Sequence, residues 1–179
     1  GLDLTSMFSV GSNPIVDGSS TSGTLNWTFN SGAQAFDFLA EGQTLTLTYQ
    51  VQATDDSGVS GSNSTTHPVV ITITGANDGP VATNDTAGGL GAEVYETAIL
   101  TVAAAQGVLA NDIDVDDAIS VTGIRVGTEG AVGAVGASLA GDYGALTLNA
   151  DGSYSYVADA DELALGESAT DTFTYTVTD

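Results

Sequence analysis

The sequence predicts an all-β protein: two tandem antiparallel β-sandwich domains. Three features carry that expectation. Short stretches alternate apolar residues with Thr, Ser or Gln, clusters of Gly, Asn and Asp separate them, and one long stretch is loosely repeated. A period of two marks a half-buried strand, and short strands at regular spacing with turn punctuation point to sandwiches.

Taken in order, the strand candidates are "TLTLTYQVQA" (44–53), "PVVITIT" (68–74), "ISVTGIRV" (119–126), "GALTL" (144–148), "SYSYV" (153–157) and "DTFTYTVTD" (171–179). All are rich in the β-branched and aromatic residues that fit a pleated surface. "DGSS", "DDSG", "GANDGP" and "ADGS" punctuate them as turns. Helical patterns are nearly absent; "VAAAQGVLA" (102–110) and "DADELAL" (159–165) would each give a turn or two at most.

Composition narrows the function. Of 179 residues 42% are hydrophobic, enough for real cores, but only 7% are aromatic, so Ala, Val, Leu and Ile must do most of the packing. The charge is lopsided: 23 Asp and Glu face a single base, Arg125, for a formal net charge of −22. Such a chain repels itself when compact, and with one Arg and no Lys it has little to neutralise phosphates, which argues against nucleic acid and anionic membranes as partners. Bound cations would suit it; the plainer reading is a soluble, anti-aggregating surface. There is no Cys, hence no disulfide and no thiolate zinc site. No apolar run approaches the roughly 20 residues that span a bilayer, so membrane insertion is not expected. The opening "GLDLTSMF" reads as the start of an excised or processed piece.

The repeat sets the domain organisation. "LAEGQTLTLTYQVQATD", ending at Asp55, resembles "LALGESATDTFTYTVTD", ending at Asp179. Matching Gly42 with Gly166 sets Tyr49 on Phe173, Val51 on Tyr175, Ala53 on Val177 and Asp55 on Asp179. "WTF" (27–29) falls near "YSY" (154–156), with one intervening loop longer. The join lies in "TGANDGPVATND" (74–85), giving an N-terminally truncated unit at 1–78 and a second at 79–179. Pro80 stiffens this join by fixing its own φ and biasing Gly79 toward extended conformations. The first unit follows "TYQVQATDD" with a connector and "VVITITG", whereas the second stops at "TYTVTD". The second unit is therefore expected to lack its last strand and to expose an edge beside residues 173–177. A neighbouring repeat of the same protein, or an adjacent subunit by strand addition, would fill it, with the N-terminal "LDLTSMFSV" as donor in the latter case.

These residues also resemble known families. "AFDFLAEGQTLTLTYQVQATDDSG" followed by "VVITITGANDGPVA" is similar to the VCBS repeat of giant bacterial surface adhesins. "VLANDIDVDD…GALTLNADGSYSYVADADE…TDTFTYTVTD" resembles the cadherin-like, Ig-like tandem repeats of the same proteins. The resemblance implies an extracellular, often calcium-stiffened β-sandwich array that serves as a stalk in adhesion and biofilm formation.

The candidate chemistry is metal binding. "LANDIDVDD" (109–117) concentrates Asp112, Asp114, Asp116 and Asp117 with no base nearby. The spacing opens like an EF-hand, but Asp117 stands where that loop needs Gly and Gly123 where it needs Glu. An oxygen-rich Ca²⁺ turn remains open, as does a merely solvated acidic turn. The join adds Asn77, Asp78, Asn84 and Asp85, and such linker oxygens with Asp55 or Asp56 and an Asp pair of the second unit would enclose an ion between the domains; Asn and Asp are also ordinary turn formers. The metal candidates are thus Asp55, Asn77, Asp78, Asp112, Asp114 and Asp116.

Other motifs carry less. "DSG" at 56–58 has no second copy to make an aspartic-protease pair, and "GGLGAE" (88–93) is a lone copy of a calcium-roll-like pattern. His67 is the single histidine and completes neither a metal site nor a triad. Arg125 snorkels or meets a carboxylate. The aromatics read as core and same-face pairs. No nucleophile–base pair suggests an enzyme. The expected function is a structural or adhesive repeat segment of a long extracellular adhesin or fibre, with Ca²⁺ at the joint. The alternative is a carbohydrate- or protein-binding module of a secreted enzyme.

Overall fold

The computed structural model describes residues 3–11, 15–16, 22–55, 64–85, 94–159 and 163–179. Ser57 and Gly58 of the "DSG" triplet, Asp56 and the "GGLGAE" loop lie outside them, as does part of "DADELAL". The chain divides into two compact units, Gly1–Ala76 and Asn77–Asp179. Among the described residues the regular structure is antiparallel β, with two short 3₁₀ turns and no α-helix.

Unit 1 contains β1 (Phe8–Val10), β2 (Trp27–Phe29), β3 (Thr44–Thr54) and β4 (Ser64–Thr74). β3 and β4 form a long antiparallel pair from Thr44↔Thr74 to Thr54↔Ser64. The Gly75 N–H donates to the Gln43 carbonyl at 2.8 Å. Hydrogen-bonded pairs alternate from there, so Pro68, opposite Gln50, occupies a position that owes β3 no N–H. Leu45 and Ile73 turn inward toward Met7, Phe36 and Leu39 and Leu47 is buried on the same side of β3, while the intervening Thr residues face solvent. The N-terminal segment is built into this unit instead of lying free as a donor. Met7 is buried, Phe8–Val10 pairs with Trp27–Phe29, and the Leu4 carbonyl accepts the Tyr49 hydroxyl at 2.8 Å. Its apolar residues find partners in their own unit, with Phe8 stacked on Tyr49 at 4.5 Å.

Unit 2 contains β5 (Ile99–Val102), β6 (Ser120–Val126), β7 (Ser138–Ala140), β8 (Gly144–Leu148), β9 (Tyr154–Ala158) and β10 (Phe173–Thr178). One sheet has the order β5-β9-β8-β7; the other is β10-β6. The core lies between them. Val121 and Ile124 of β6 meet Leu146 and Leu148 of β8, with Tyr154, Tyr156, Phe173 and Tyr175 packed around. Ile124 and Leu148 are each only 1% exposed, and burying such a side chain contributes about 1.5–3 kcal/mol. The alanine-rich stretch after β5 forms 3₁₀ turns at Ala104–Gln106 and Val108–Asn111. β5 and β7 were not among the expected strands.

Candidate metal centre

The acidic segment is positioned by a two-way backbone bridge. Val81 N–H donates to the Ile113 carbonyl at 2.8 Å and Ile113 N–H returns to Val81 at 3.1 Å. Extended backbone sends alternate side chains to opposite sides, and here the usual polarity is inverted. Ile113 and Val115 are 60% and 55% exposed, whereas Asp112 is 7% exposed and Asp114 and Asp116 are half-buried.

The three inward carboxylates do not share one place. Asp112 belongs to a hydrogen-bonded hub around Tyr175. Its Oδ1 accepts the Thr83 N–H at 2.6 Å and its Oδ2 the Tyr175 hydroxyl at 3.0 Å. The same hydroxyl lies 2.9 Å from Asp85 Oδ2 and 3.1 Å from the Val108 carbonyl. Burial, followed by the two carboxylates, raises the Tyr175 hydroxyl far above its ordinary range, so it stays a donor. Asp85 is itself raised, chiefly by burial. Both oxygens of Asp112 therefore have protein donors.

Asp114 and Asp116 form the second cluster, which the Asp78 backbone N–H joins. Asp114 Oδ1 accepts the N–H groups of Asp116 at 3.1 Å and Asp117 at 3.0 Å, which hold its carboxyl below the usual range. Asp116 Oδ2 accepts the Asp78 N–H at 3.2 Å. Burial first, and then the adjoining Asp114 carboxyl, push Asp116 upward. The remaining oxygens, Asp114 Oδ2 and Asp116 Oδ1, are buried and meet no hydrogen-bond donor. Buried carboxylate oxygens without a donor or a cation are costly. Asn77 donates its amide to Asp179 Oδ2 at 2.6 Å, leaving its side-chain oxygen to other partners.

These donors fit a hard cation, which takes carboxylate, amide, carbonyl and water oxygens. The fit is partial: among the described residues no group of three or more His, Cys, Asp or Glu side chains is gathered around one point. The carboxylate pair would need neutral oxygens to complete a shell. Asp55 belongs to unit 1, one residue beyond β3. The residues missed from the sequence are Asp179, tied to Asn77, and Asp171, whose carboxylate accepts the Asp142 and Tyr143 N–H groups and the Tyr156 hydroxyl. Nothing in their local sequence marks them.

Two antiparallel sheets with a shared core define an all-β sandwich module. The chain belongs to the bacterial cadherin-like domain family, whose model matches residues 77–179. That family consists of non-catalytic structural and adhesive modules of surface proteins. A search of the curated proteins returns no match. Among the described residues no helix is long and apolar enough to cross a membrane.

Proposed function

We propose that this chain is a structural segment of a long extracellular bacterial adhesin or fibre, a VCBS-type unit followed by a cadherin-like one, and that its second unit binds Ca²⁺. Asn77, Asp78, Asp114 and Asp116 are the residues that would hold the ion. The observation that supports this most is the pair of buried oxygens, Asp114 Oδ2 and Asp116 Oδ1, left without a donor in a chain with one base. A bound cation supplies the positive charge those oxygens lack and so stabilises the folded form alone. Asp114 presents a carboxylate kept ionised by two backbone N–H groups. Asp78 orients Asp116 through its backbone N–H. Extracellular calcium modules work with Kd values of about 10⁻⁴–10⁻³ M, so occupancy would follow export. The test is thermal unfolding in millimolar Ca²⁺ and in excess chelator, for the parent chain and for Asp114→Asn with Asp116→Asn. Calcium should raise the parent's midpoint and do little for the variant; equal midpoints for the parent would refute the reading.

A carbohydrate-binding role is the second reading. It is favoured by Trp27, which is 48% exposed and stacks on Phe8 at 5.7 Å. Retention of the chain on a glycan array, lost in Trp27→Ala, would support it.

A further inference from the structure

We propose that Asp78–Gly79 is a modification site, where the aspartate converts spontaneously to isoaspartate in the folded domain and so loosens the anchor of the acidic segment. The step needs no enzyme and no oxidant. The Gly79 backbone nitrogen attacks Cγ of the Asp78 carboxyl group and a C–N bond forms. The amide proton and the carboxyl OH leave as water, giving a five-membered succinimide. Water then opens the ring at one of its two carbonyls. Breaking the new bond restores aspartate; breaking the original peptide bond leaves the chain running through Cβ and Cγ, which is isoaspartate. The water lost is regained, so the mass is unchanged.

Glycine favours this attack because it has no Cβ to shield the nitrogen or restrict the turn of the chain. Asp-Gly pairs occur at 17–18, 78–79 and 151–152. The first lies outside the described residues, and the other two are held in opposite ways.

Asp151–Gly152, between β8 and β9, is locked. Asp151 Oδ1 accepts the Ser153 hydroxyl at 2.6 Å and the Ser153 N–H at 3.0 Å. The hydroxyl, and then the N–H, hold its carboxyl below the usual range, and an ionised carboxylate is a poor electrophile. The Gly152 nitrogen is engaged as well, its N–H donating to the Asn149 carbonyl at 3.0 Å. Gly152 also lies close against Leu109, whose Cγ would be 2.9 Å from an added Cβ. Reaction there must wait for the turn to open, a state that is rarely populated.

Asp78–Gly79 has both reacting groups free. Asp78 is tied through its backbone N–H, which donates to Asp116 Oδ2 at 3.2 Å. Among the described residues neither its carboxylate oxygens nor the Gly79 N–H has a hydrogen-bond partner. Space is open too: an added Cβ at Gly79 would meet nothing within 4 Å, and the residue is exposed. Residues 75–80 lie in no strand, so no ladder has to break before the nitrogen approaches Cγ.

The product alters a measured span. Asp78 N–H is fixed to Asp116, and Val81 N–H to the Ile113 carbonyl at 2.8 Å. Isoaspartate adds a carbon atom to the main chain between these two anchors, both of which position the acidic segment. The bridge between Val81 and Ile113 is therefore held less firmly once Asp78 has converted.

The test incubates the intact chain below its unfolding midpoint in chelator, which keeps the outcome separate from the calcium reading, beside a sample in concentrated urea. Peptides covering the two described pairs are resolved by chromatography, and isoaspartate is recognised by unchanged mass and resistance to cleavage at aspartate. In the folded chain it should accumulate at Asp78 at least about tenfold faster than at Asp151, and in urea the two rates should converge. Gly79→Ala, for which there is room, should suppress conversion at Asp78 and leave Asp151 as it was, its unfolding midpoint showing that it is folded. Asp78→Glu, whose longer side chain cannot close a five-membered ring, should do the same. In the separated isoaspartate form the Val81 and Ile113 amides should exchange faster than in the parent. The proposal is overturned if folded Asp78 converts no faster than Asp151, if the ratio persists in urea, if Gly79→Ala converts at the parent's rate, or if the Val81 and Ile113 amides are unchanged by conversion.

Discussion

The Tyr175 hydroxyl of β10 stands 3.0 Å from Oδ2 of Asp112, a carboxylate that is 7% exposed. This bond ties the smaller sheet to the acidic segment, far along the chain. It also settles the use of Asp112, whose other oxygen is taken by the Thr83 N–H. Tyr175→Phe should strand a buried acceptor and cost about 1–3 kcal/mol, read from urea unfolding. A loss within experimental error would mean that water or the Asn111 amide replaces the hydroxyl.

Asp85 gives a pH dependence with a definite sign. Burial raises its folded pKa above the ordinary 3.8. The folded chain therefore binds the proton more tightly than the unfolded chain, and the associated stability is fully present below 3.8 and lost as pH rises through the folded value. Asp3 and Asp151, lowered chiefly by the hydroxyls of Thr5 and Ser153, act oppositely, losing their contribution as pH falls below 3.8. Asp85→Asn should remove only the first component. The stability of the parent relative to the variant, followed across the acid range, should fall as pH rises; a flat difference would contradict the assignment.

Packing predicts where substitutions matter. Ile124→Ala, in the centre of unit 2, should cost about 2–5 kcal/mol. Ile113→Ala, at a residue 60% exposed, should stay within about 0.5 kcal/mol. Comparable losses at the two sites would mean that Ile113 is covered in solution.

Much of the fold was legible because alternation is a local signal. β3, β6, β8, β9 and β10 lie within a residue or two of the expected stretches, and the Gly42–Gly166 match reappears as two turns of the same conformation. β5 and β7 were hidden: "ILTV" runs into an alanine-rich stretch, and "SLA" is too short to show a period. β4 begins earlier than expected because Pro68 reads as a strand start, yet the register gives it a position that needs no N–H. The acidic spacing showed that oxygens would gather but not how they divide. That division follows from the Val81–Ile113 bridge and the reach of Tyr175, both contacts between distant residues. Asp179 was invisible for the same reason.

The central claim is that the Asp114–Asp116 pair holds a cation, and calcium titration calorimetry on the intact chain tests it most directly. One saturating site at 100 times its Kd would add about 2.7 kcal/mol of stability. The account predicts a binding isotherm in the micromolar to millimolar range that is abolished or strongly weakened in Asp114→Asn with Asp116→Asn and kept in Asp3→Asn. No heat and no shift of the unfolding midpoint up to 10-fold above about 10⁻³ M Ca²⁺, or an isotherm unchanged by the double substitution, would contradict it.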